Sequence, residues 1–318
     1  MTVPRADLST ERRTATLTRA LGPVIGRALE DPSVVEVLVN ADGVVRVDRI
    51  GAGLQTTGIV MSVADREAAI RLLATEAGET VTPDRPFLAT TAPGSGARVQ
   101  AMAPPLAPAP VLAIRKRPGR IYTLDDYVAS GAATPDQVAQ LRAAVADRRN
   151  IVVAGGTGSG KTTLLNALLA EPAFAQARVV ILEDTTELRC AGDDVVQLLA
   201  KRTGPPVTLR DLVQMTLRLR PDRIVVGEVR DGAALEVLKA WNTGHPGGLL
   251  TLHANSAADA LTRLEDLCLE AAPAPPQRLI RAAVDLVVFI ARAPEGRRIA
   301  EIRDLRVAST APEGESTP

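Results

Sequence analysis

Residues 155–162 of this chain read Gly155-Gly156-Thr157-Gly158-Ser159-Gly160-Lys161-Thr162, which fits the phosphate-loop pattern G-x-x-x-x-G-K-[ST]. The flanking residues support the match, because the apolar run 151–154 predicts a buried strand and leucines at helical spacing follow the loop. Glycines let backbone N–H groups turn towards phosphates, and the N-terminus of the following helix adds positive potential. The motif therefore predicts a site for a nucleoside triphosphate.

Individual residues of this loop have predicted roles in binding the nucleotide. Lys161 would reach the β- and γ-phosphates, and the Thr162 hydroxyl would bind magnesium. The remaining loop residues and Thr163 are also predicted to bind the nucleotide. The expected cofactors are therefore a nucleoside triphosphate and Mg²⁺.

Length and composition limit the class of protein. A chain of 318 residues predicts two domains, and its 37 basic and 37 acidic residues leave no net charge that would attract nucleic acid. No apolar run reaches the roughly 18 residues that span a bilayer, and the N-terminus lacks the apolar core of a signal peptide, so we expect a cytoplasmic protein. Cys190 and Cys268 lie far apart without metal-ligand spacing, which favours reduced core residues.

The first part of the chain predicts a small α+β domain over residues 17–117, preceded by a flexible segment 1–16. An apolar helical pattern ends near residue 31, and residues 34–50 read as a hairpin around Asp42-Gly43. Ser62, with Asp65 three residues later, marks a helix start. Two more strands are predicted over 96–102 and 111–115.

The second part predicts an α/β domain over residues 134–307, after a hinge at 118–133 and before a disordered tail at 308–318. Thr134 begins a helix with a proline in its first turn and a capping glutamine. Apolar strands then alternate with capped helices to the end of the domain, which indicates a mainly parallel sheet with helices on both faces.

Polar side chains follow the apolar strands of this second domain. Glu183 ends one strand, Glu228 follows another, and His253 follows a third. Ligands of open α/β sheets bind beyond the carboxyl ends of the strands, so these groups should surround the triphosphate. Hydrolysis requires a carboxylate that positions or deprotonates water, and a group that binds magnesium beside Thr162. Glu228 is the first candidate for the water and Glu183 for the metal, but the two roles are interchangeable at this level.

The two histidines and several arginines are further candidates. An imidazole at a strand end can donate to a phosphate oxygen, so His253 is predicted to sense the γ-phosphate, whereas His245 is equally compatible with nucleotide binding and with packing. Arginines stabilise the charge of the transferring phosphoryl group and can contribute ~10³–10⁵ in rate. The candidates are Arg98, Arg115 and Arg117 in the first part, and Arg218 and Arg220 in the second.

Four ordered motifs together resemble the Walker A, Asp box, Walker B and His box of the type II/IV secretion ATPases. They read GGTGSGKT, ILEDTTEL, LRLRPDRIVVGEVR and TGHPGGLLTLHANS. Residues 217–255 are most similar to the conjugal-transfer branch, and the likeness also extends over 36–51 and 97–117.

This resemblance implies a homohexameric ATPase built from an N-terminal domain, a hinge and a RecA-like domain. ATP would lie between the two domains of one subunit, with Arg98 and Arg115 reaching its phosphates. Closure on ATP and opening after hydrolysis would drive pilus assembly or DNA or protein export. The implied partners are components of the apparatus at the cytoplasmic face of the inner membrane. By the same likeness Glu183 belongs to the Asp box, Glu228 to Walker B, and both histidines to the His box.

The sequence departs from the family pattern in two motifs, and the second departure argues against one branch of the family. The Walker B motif carries Glu228 but lacks the usual aspartate, and this variation is itself similar to the family. The tetracysteine element of many type II secretion ATPases is absent, which argues against that branch. A pilus assembly or retraction ATPase, a type II secretion ATPase, a RecA-like nucleic-acid motor and a nucleotide-gated switch remain as alternatives. Aromatic residues, at 2% of the chain, offer little for base stacking, so no specific nucleic-acid site is evident.

Overall fold

The computed structural model describes residues 21–50, 52–92, 95–117, 119–201, 205–293 and 296–308. The chain divides into two compact units, Met1–Gly119 and Arg120–Pro318. The segment 1–16, predicted to be flexible, and residues 309–318 of the predicted tail lie outside the described residues. The division falls inside the segment 118–133 that the sequence predicts as a hinge, and the limits of that hinge stay a prediction.

Unit 1 is an α+β domain, as predicted, built on one six-stranded antiparallel sheet in the order β3-β2-β1-β6-β5-β4. Two of its strands, β3 and β4, are not recognised from the sequence. The reason for β3 is its exposure along almost its whole length, which leaves no alternation of apolar and polar residues to detect. The elements are α1 (residues 21–30), β1 (Val34–Val39), β2 (Val44–Arg49), β3 (Gly53–Val60), α2 (Val63–Glu76), β4 (Phe87–Thr91), β5 (Arg98–Met102) and β6 (Val111–Arg115).

Unit 2 is a mainly parallel α/β domain, again as predicted, with the strand order β13-β12-β7-β11-β10-β8-β9. Every neighbouring pair is parallel except β12 and β13. Its strands are β7 (Ile151–Ala154), β8 (Val179–Glu183), β9 (Val195–Leu199), β10 (Arg223–Val226), β11 (Leu249–Leu252), β12 (Leu286–Ala293) and β13 (Gly296–Asp304). Its helices are α3 (Leu124–Ala129), α4 (Pro135–Ala146), α5 (Lys161–Leu169), α6 (Pro172–Ala175), α7 (Leu209–Thr216), α8 (Ala233–Asn242), α9 (Ala257–Leu269), α10 (Gln277–Ala283) and α11 (Leu305–Ala308).

Helices cover both faces of this sheet. Along β7, Val152 and Ala154 pack into an apolar cluster with α7, α8, α9 and α10, whereas Ile151 and Val153 pack into a second cluster with α3, α4 and α5. Because side chains of a strand alternate between the faces, a fully apolar strand is what a sheet covered on both sides requires. The sheet is therefore buried between two layers of helices.

Local signals set the helix starts where the sequence predicts them. Ser62 and Ser256 accept a hydrogen bond from the backbone N–H three residues later. Thr134 and Thr208 form complete capping boxes with Gln137 and Asp211. The strands β9 and β13 and the helices α3, α6, α10 and α11 were not predicted. β13 carries five charged residues, three arginines and two acids, in GRRIAEIRD and lies at a sheet edge, so hydrophobic periodicity does not reveal it.

The two cysteines are free thiols, in line with their prediction as reduced residues. Cys268 is buried in α9, and this burial raises the pKa of its thiol to about 11. Cys190 is half-buried, and its thiol pKa is also raised, again mainly by burial. Within the described residues, no helix combines the length and the apolar character that a bilayer span requires.

A close contact between α8 and Gly248, the residue before β11, predicts a position where unit 2 is sensitive to substitution. A Cβ on Gly248 would lie 2.0 Å from Nε1 of Trp241 and 2.7 Å from the Ile224 carbonyl oxygen. That carbonyl accepts a hydrogen bond from Trp241 Nε1 at 3.2 Å. We expect Gly248→Ala to destabilise the fold by at least about 1–3 kcal/mol, because the buried indole has to move. Thermal unfolding measures this, with Gly119→Ala as control since a Cβ there meets nothing within 4 Å. Equal melting temperatures for the two variants would contradict the expectation.

Candidate functional site

The loop 155–160 leaves the carboxyl end of β7 and enters α5 at Lys161. Strand β12 lies beside β7, with Phe289 paired to Ala154, so that Ile290 is level with the first residue of the loop. A Cβ on Gly155 would lie 2.4 Å from the Ile290 carbonyl oxygen and 2.5 Å from Ser159 Oγ. Only glycine permits this close passage, which explains the residue type that opens the motif.

The Lys161 ammonium lies inside the loop and is hydrogen-bonded to the loop backbone. Its Nζ donates to the carbonyl oxygens of Gly155 and Gly156, at 3.0 Å each, and its side chain is buried. The Ser159 hydroxyl is buried as well and has no hydrogen-bond partner among the described residues. A buried hydroxyl and a buried ammonium beside a loop of backbone N–H groups are donors suited to phosphate oxygens.

The strand order decides which groups meet this loop. β11 is the neighbour of β7, and the pairing of Leu252 with Ala154 puts the next residue, His253, beside the loop. β10 follows β11 and delivers Glu228, and β8 follows β10 and ends at Glu183. Three of the side chains predicted at the carboxyl edge thus lie side by side with the phosphate loop.

His253 bridges Lys161 and Glu228. Its Nε2 lies 2.7 Å from Oε1 of Glu228, and its Nδ1 lies 3.4 Å from Nζ of Lys161. Desolvation and, second, the Lys161 charge hold the pKa of His253 below the usual 6.5, although Glu228 acts in the opposite direction. The imidazole is therefore neutral at neutral pH, with Nε2 facing the Glu228 carboxylate and Nδ1 facing the Lys161 ammonium.

The Glu228 carboxylate is held from its other side by Arg230. Nε of Arg230 donates to Oε2 of Glu228 at 2.7 Å, and Nη1 of Arg230 lies 3.7 Å from the Asp184 carboxylate. Sequence reasoning assigned Arg230 no role, because an arginine after a strand is most often solvated. Its position two residues from Glu228 was the only available signal.

Glu183 is fixed more firmly than Glu228. Its side chain is buried, and Oε1 accepts the backbone N–H groups of Glu187 at 2.8 Å and Leu188 at 2.9 Å. A Cβ on Gly227 would lie 3.1 Å from Cγ of Glu183, so the side chain packs on the residue that precedes Glu228. The two carboxylates are therefore neighbours with different freedom to move.

Three predicted nucleotide-binding residues are not brought to the phosphate loop of their own chain. His245 precedes β11, and Arg218 and Arg220 precede β10, so all three lie at the amino ends of parallel strands. The phosphate loop lies at the carboxyl ends, and a four-residue strand separates the edges by about 13 Å. His245 instead places Nδ1 3.3 Å from the Ala240 carbonyl oxygen. The family resemblance groups it with His253 in the His box, strand β11 separates the two residues, and a role of His245 in nucleotide binding stays a prediction.

The predicted arginines of the first part lie together within unit 1. Arg98 of β5 and Arg115 of β6 are directly paired across the antiparallel ladder, and Arg117 follows two residues later. Val99 and Ile114 alternate with them and are buried, so the two arginines lie on the face opposite the core. Glu36 of β1 is paired with Arg115 from the other side, and the role of the two arginines towards ATP stays a prediction.

A phosphate loop between a parallel strand and a helix, with a bridged lysine, histidine and glutamate at adjacent strand ends, defines a P-loop ATPase-type domain of RecA-like architecture. The family model described as "Type II/IV secretion system protein" matches residues 61–311. The chain therefore belongs to the type II/IV secretion system protein family.

Individual relatives agree with this family. The conjugal transfer protein TrbB of Rhizobium radiobacter is 46% identical over 285 residues, which cover 89% of this chain and 87% of the relative. The VirB11 ATPase of the Brucella suis type IV secretion system, crystallised with sulphate, is 28% identical at a TM-score of 0.50, covering 95% of this chain and 99% of that one. The Legionella pneumophila ATPase DotB shares the fold at 22% identity and a TM-score of 0.63, covering 86% and 78%. The resemblance to secretion ATPases of the conjugal-transfer branch, and the ATPase activity it implies, are confirmed.

Proposed function

We propose that this protein is the ATP-hydrolysing motor of a type IV secretion or conjugal transfer apparatus. The observation that carries the proposal is the continuous contact from Lys161 through His253 to Glu228 at the carboxyl edge of the sheet. It joins a phosphate-binding cation to a carboxylate that can act on water, which is what hydrolysis of a bound triphosphate requires.

ATP with Mg²⁺ is the cofactor that these residues fit. Backbone N–H groups of 155–160 and the Ser159 hydroxyl would receive phosphate oxygens, and Lys161 would exchange its two loop carbonyls for the β- and γ-phosphates. Thr162 would hold the metal, together with Glu183 or Glu228, since magnesium usually takes one or two protein ligands beside the phosphates. Bound magnesium supplies neutralisation of the phosphate charge.

Glu228 is the better candidate for positioning or deprotonating the attacking water. Oε1 of Glu183 accepts two backbone N–H groups, whereas the Glu228 carboxylate contacts the side chains of His253 and Arg230, which can turn away. Because neutral His253 contacts both Lys161 and Glu228, movement of the lysine to a γ-phosphate frees the imidazole to follow. His253 thereby links occupancy of the γ-phosphate site to release of the base.

The family resemblance also suggests the oligomeric state of this protein and its place in the cell. We expect a hexamer at the cytoplasmic face of the inner membrane, in contact with components of the secretion apparatus, in which unit 1 brings Arg98 and Arg115 to ATP on closure. Light scattering with and without ATP measures the oligomer. Deletion of the gene, followed by a conjugation assay with and without complementation, tests the role in transfer. ATPase activity strongly stimulated by nucleic acid would instead favour a nucleic-acid motor.

The two histidines offer a matched pair of variants. We expect His253→Ala to lower kcat by about 10²-fold, the scale of a lost proton-positioning contact, because Glu228 loses its bridge to Lys161. His245→Ala separates the two interpretations that the sequence leaves open for this residue. A role in nucleotide binding predicts a similar loss of kcat, and a packing role at its position before β11 predicts a much smaller one. Steady-state phosphate release at saturating ATP gives both numbers. Equal losses would contradict the assignment made from the strand ends.

A further inference from the structure

An arginine from the last hairpin contacts the outside of the phosphate loop. Arg297 is the second residue of β13, and its Nε donates to the carbonyl oxygen of Gly158 at 3.0 Å. None of the predicted site residues comes from this hairpin. β12 runs beside β7 and continues past the loop entrance at Ile290, which is why the start of β13 returns next to the loop.

Packing supports the hydrogen bond. A Cβ on Gly160 would lie 2.9 Å from Cδ of Arg297, so the arginine stem rests on the backbone at the N-terminus of α5. Gly160 has φ 103° and Gly158 has φ 70°, a region that favours glycine. The same two glycines that shape the phosphate loop thus leave the space in which the arginine lies.

The contacted carbonyl belongs to the peptide unit whose N–H is that of Ser159. In a planar trans peptide the C=O and N–H point in opposite directions, so an acceptor fixed outwards directs the N–H into the loop. There Ser159 N donates to the Gly156 carbonyl oxygen at a long 3.3 Å. A peptide next to a glycine can rotate at little cost, and a charged donor on its oxygen removes that freedom.

We propose that Arg297 is a positioning residue of the nucleotide site, which holds the Gly158–Ser159 peptide with its N–H facing the phosphates. The inference rests on the proposed binding of ATP at this loop. Loop N–H groups cradle the α- and β-phosphates, which ATP and ADP share. Loss of Arg297 therefore weakens both nucleotides to the same degree and leaves the hydrolytic groups, His253 and Glu228, in place.

The test uses the full-length chain and the variants Arg297→Ala, Arg297→Lys and Arg298→Ala. Displacement of a fluorescent nucleotide measures affinity for Mg²⁺ complexes of ADP and of a non-hydrolysable ATP analogue, and phosphate release gives kcat and KM. We expect Arg297→Ala to weaken both nucleotides about tenfold, the scale of one charged hydrogen bond, and to raise KM with kcat nearly unchanged. Arg297→Lys keeps charge and stem without the Nε–H, so a partial loss is expected. Arg298→Ala, on the other face of the strand, should match wild type.

Distinct outcomes separate the failure of this inference from the failure of the proposed function. If wild type binds neither nucleotide, the proposed function is wrong. If wild type binds both and Arg297→Ala binds them equally well, only the role of Arg297 is wrong. A loss confined to the ATP analogue also overturns positioning, because it indicates direct contact with the γ-phosphate. Should Arg297→Ala melt well below wild type without nucleotide, the Arg297→Lys affinities decide, and unchanged values refute the proposal.

Discussion

Lys161→Ala is expected to abolish ATP hydrolysis, with kcat reduced by at least about 10²–10³-fold, the scale seen when one preorganised donor to a developing anion is removed. Its ammonium is the charge placed inside the loop, where Nζ contacts two loop carbonyls at 3.0 Å and lies 3.4 Å from His253. Alanine removes the cation that would meet the β- and γ-phosphates and also the contact that links this cation to Glu228. Phosphate release at saturating ATP is the measurement.

The control for Lys161→Ala is loss of a lysine elsewhere in the same unit. Lys239 on α8 is exposed and pairs with Glu236 at 3.2 Å, so Lys239→Ala should leave turnover unchanged, as exposed ion pairs contribute little. Thermal unfolding of both variants checks that the loop carbonyls tolerate the missing ammonium. If Lys161→Ala hydrolysed ATP at the wild-type rate, the role of the phosphate loop in hydrolysis would be contradicted.

Glu228→Gln is expected to bind ATP and fail to cleave it, with kcat lower by about 10²–10⁴-fold. The amide keeps the shape of the side chain but cannot accept a proton from water. It also has one acceptor oxygen in place of two, so it cannot present an oxygen both to His253, now 2.7 Å from Oε1, and to Arg230, which donates to Oε2 at 2.7 Å. ATP affinity is expected to stay near wild type, because no loop residue changes.

Glu183→Gln is the comparison that separates the two carboxylates. Its amide oxygen can still accept the N–H groups of Glu187 and Leu188, so the variant should fold. If Glu183→Gln lost turnover while Glu228→Gln kept the wild-type rate, the assignment of base and metal ligand would be reversed. Nucleotide binding measured beside single-turnover hydrolysis distinguishes a binding defect from a chemical one.

Much of the fold was predictable because its signals are local. Capping residues such as Thr134 and Ser256 predict helix starts, and fully apolar strands such as β7 indicate a sheet that is covered on both faces. Strands without such a signal were missed. β3 is exposed along nearly its whole length and β13 is rich in arginine, so their partners in the sheet, and not their own residues, make them strands.

The sequence alone determined the chemistry of this protein: a phosphate loop, two carboxylates and a histidine at strand ends, and the family whose motifs they form. Only the tertiary structure decided the strand order β7-β11-β10-β8, which puts His253 between Lys161 and Glu228, sends His245 to the opposite edge and brings Arg297 onto Gly158. The physical reason is that a motif consists of residues close together in the sequence. The neighbours of a strand, in contrast, are determined by pairing and packing between segments far apart in the chain.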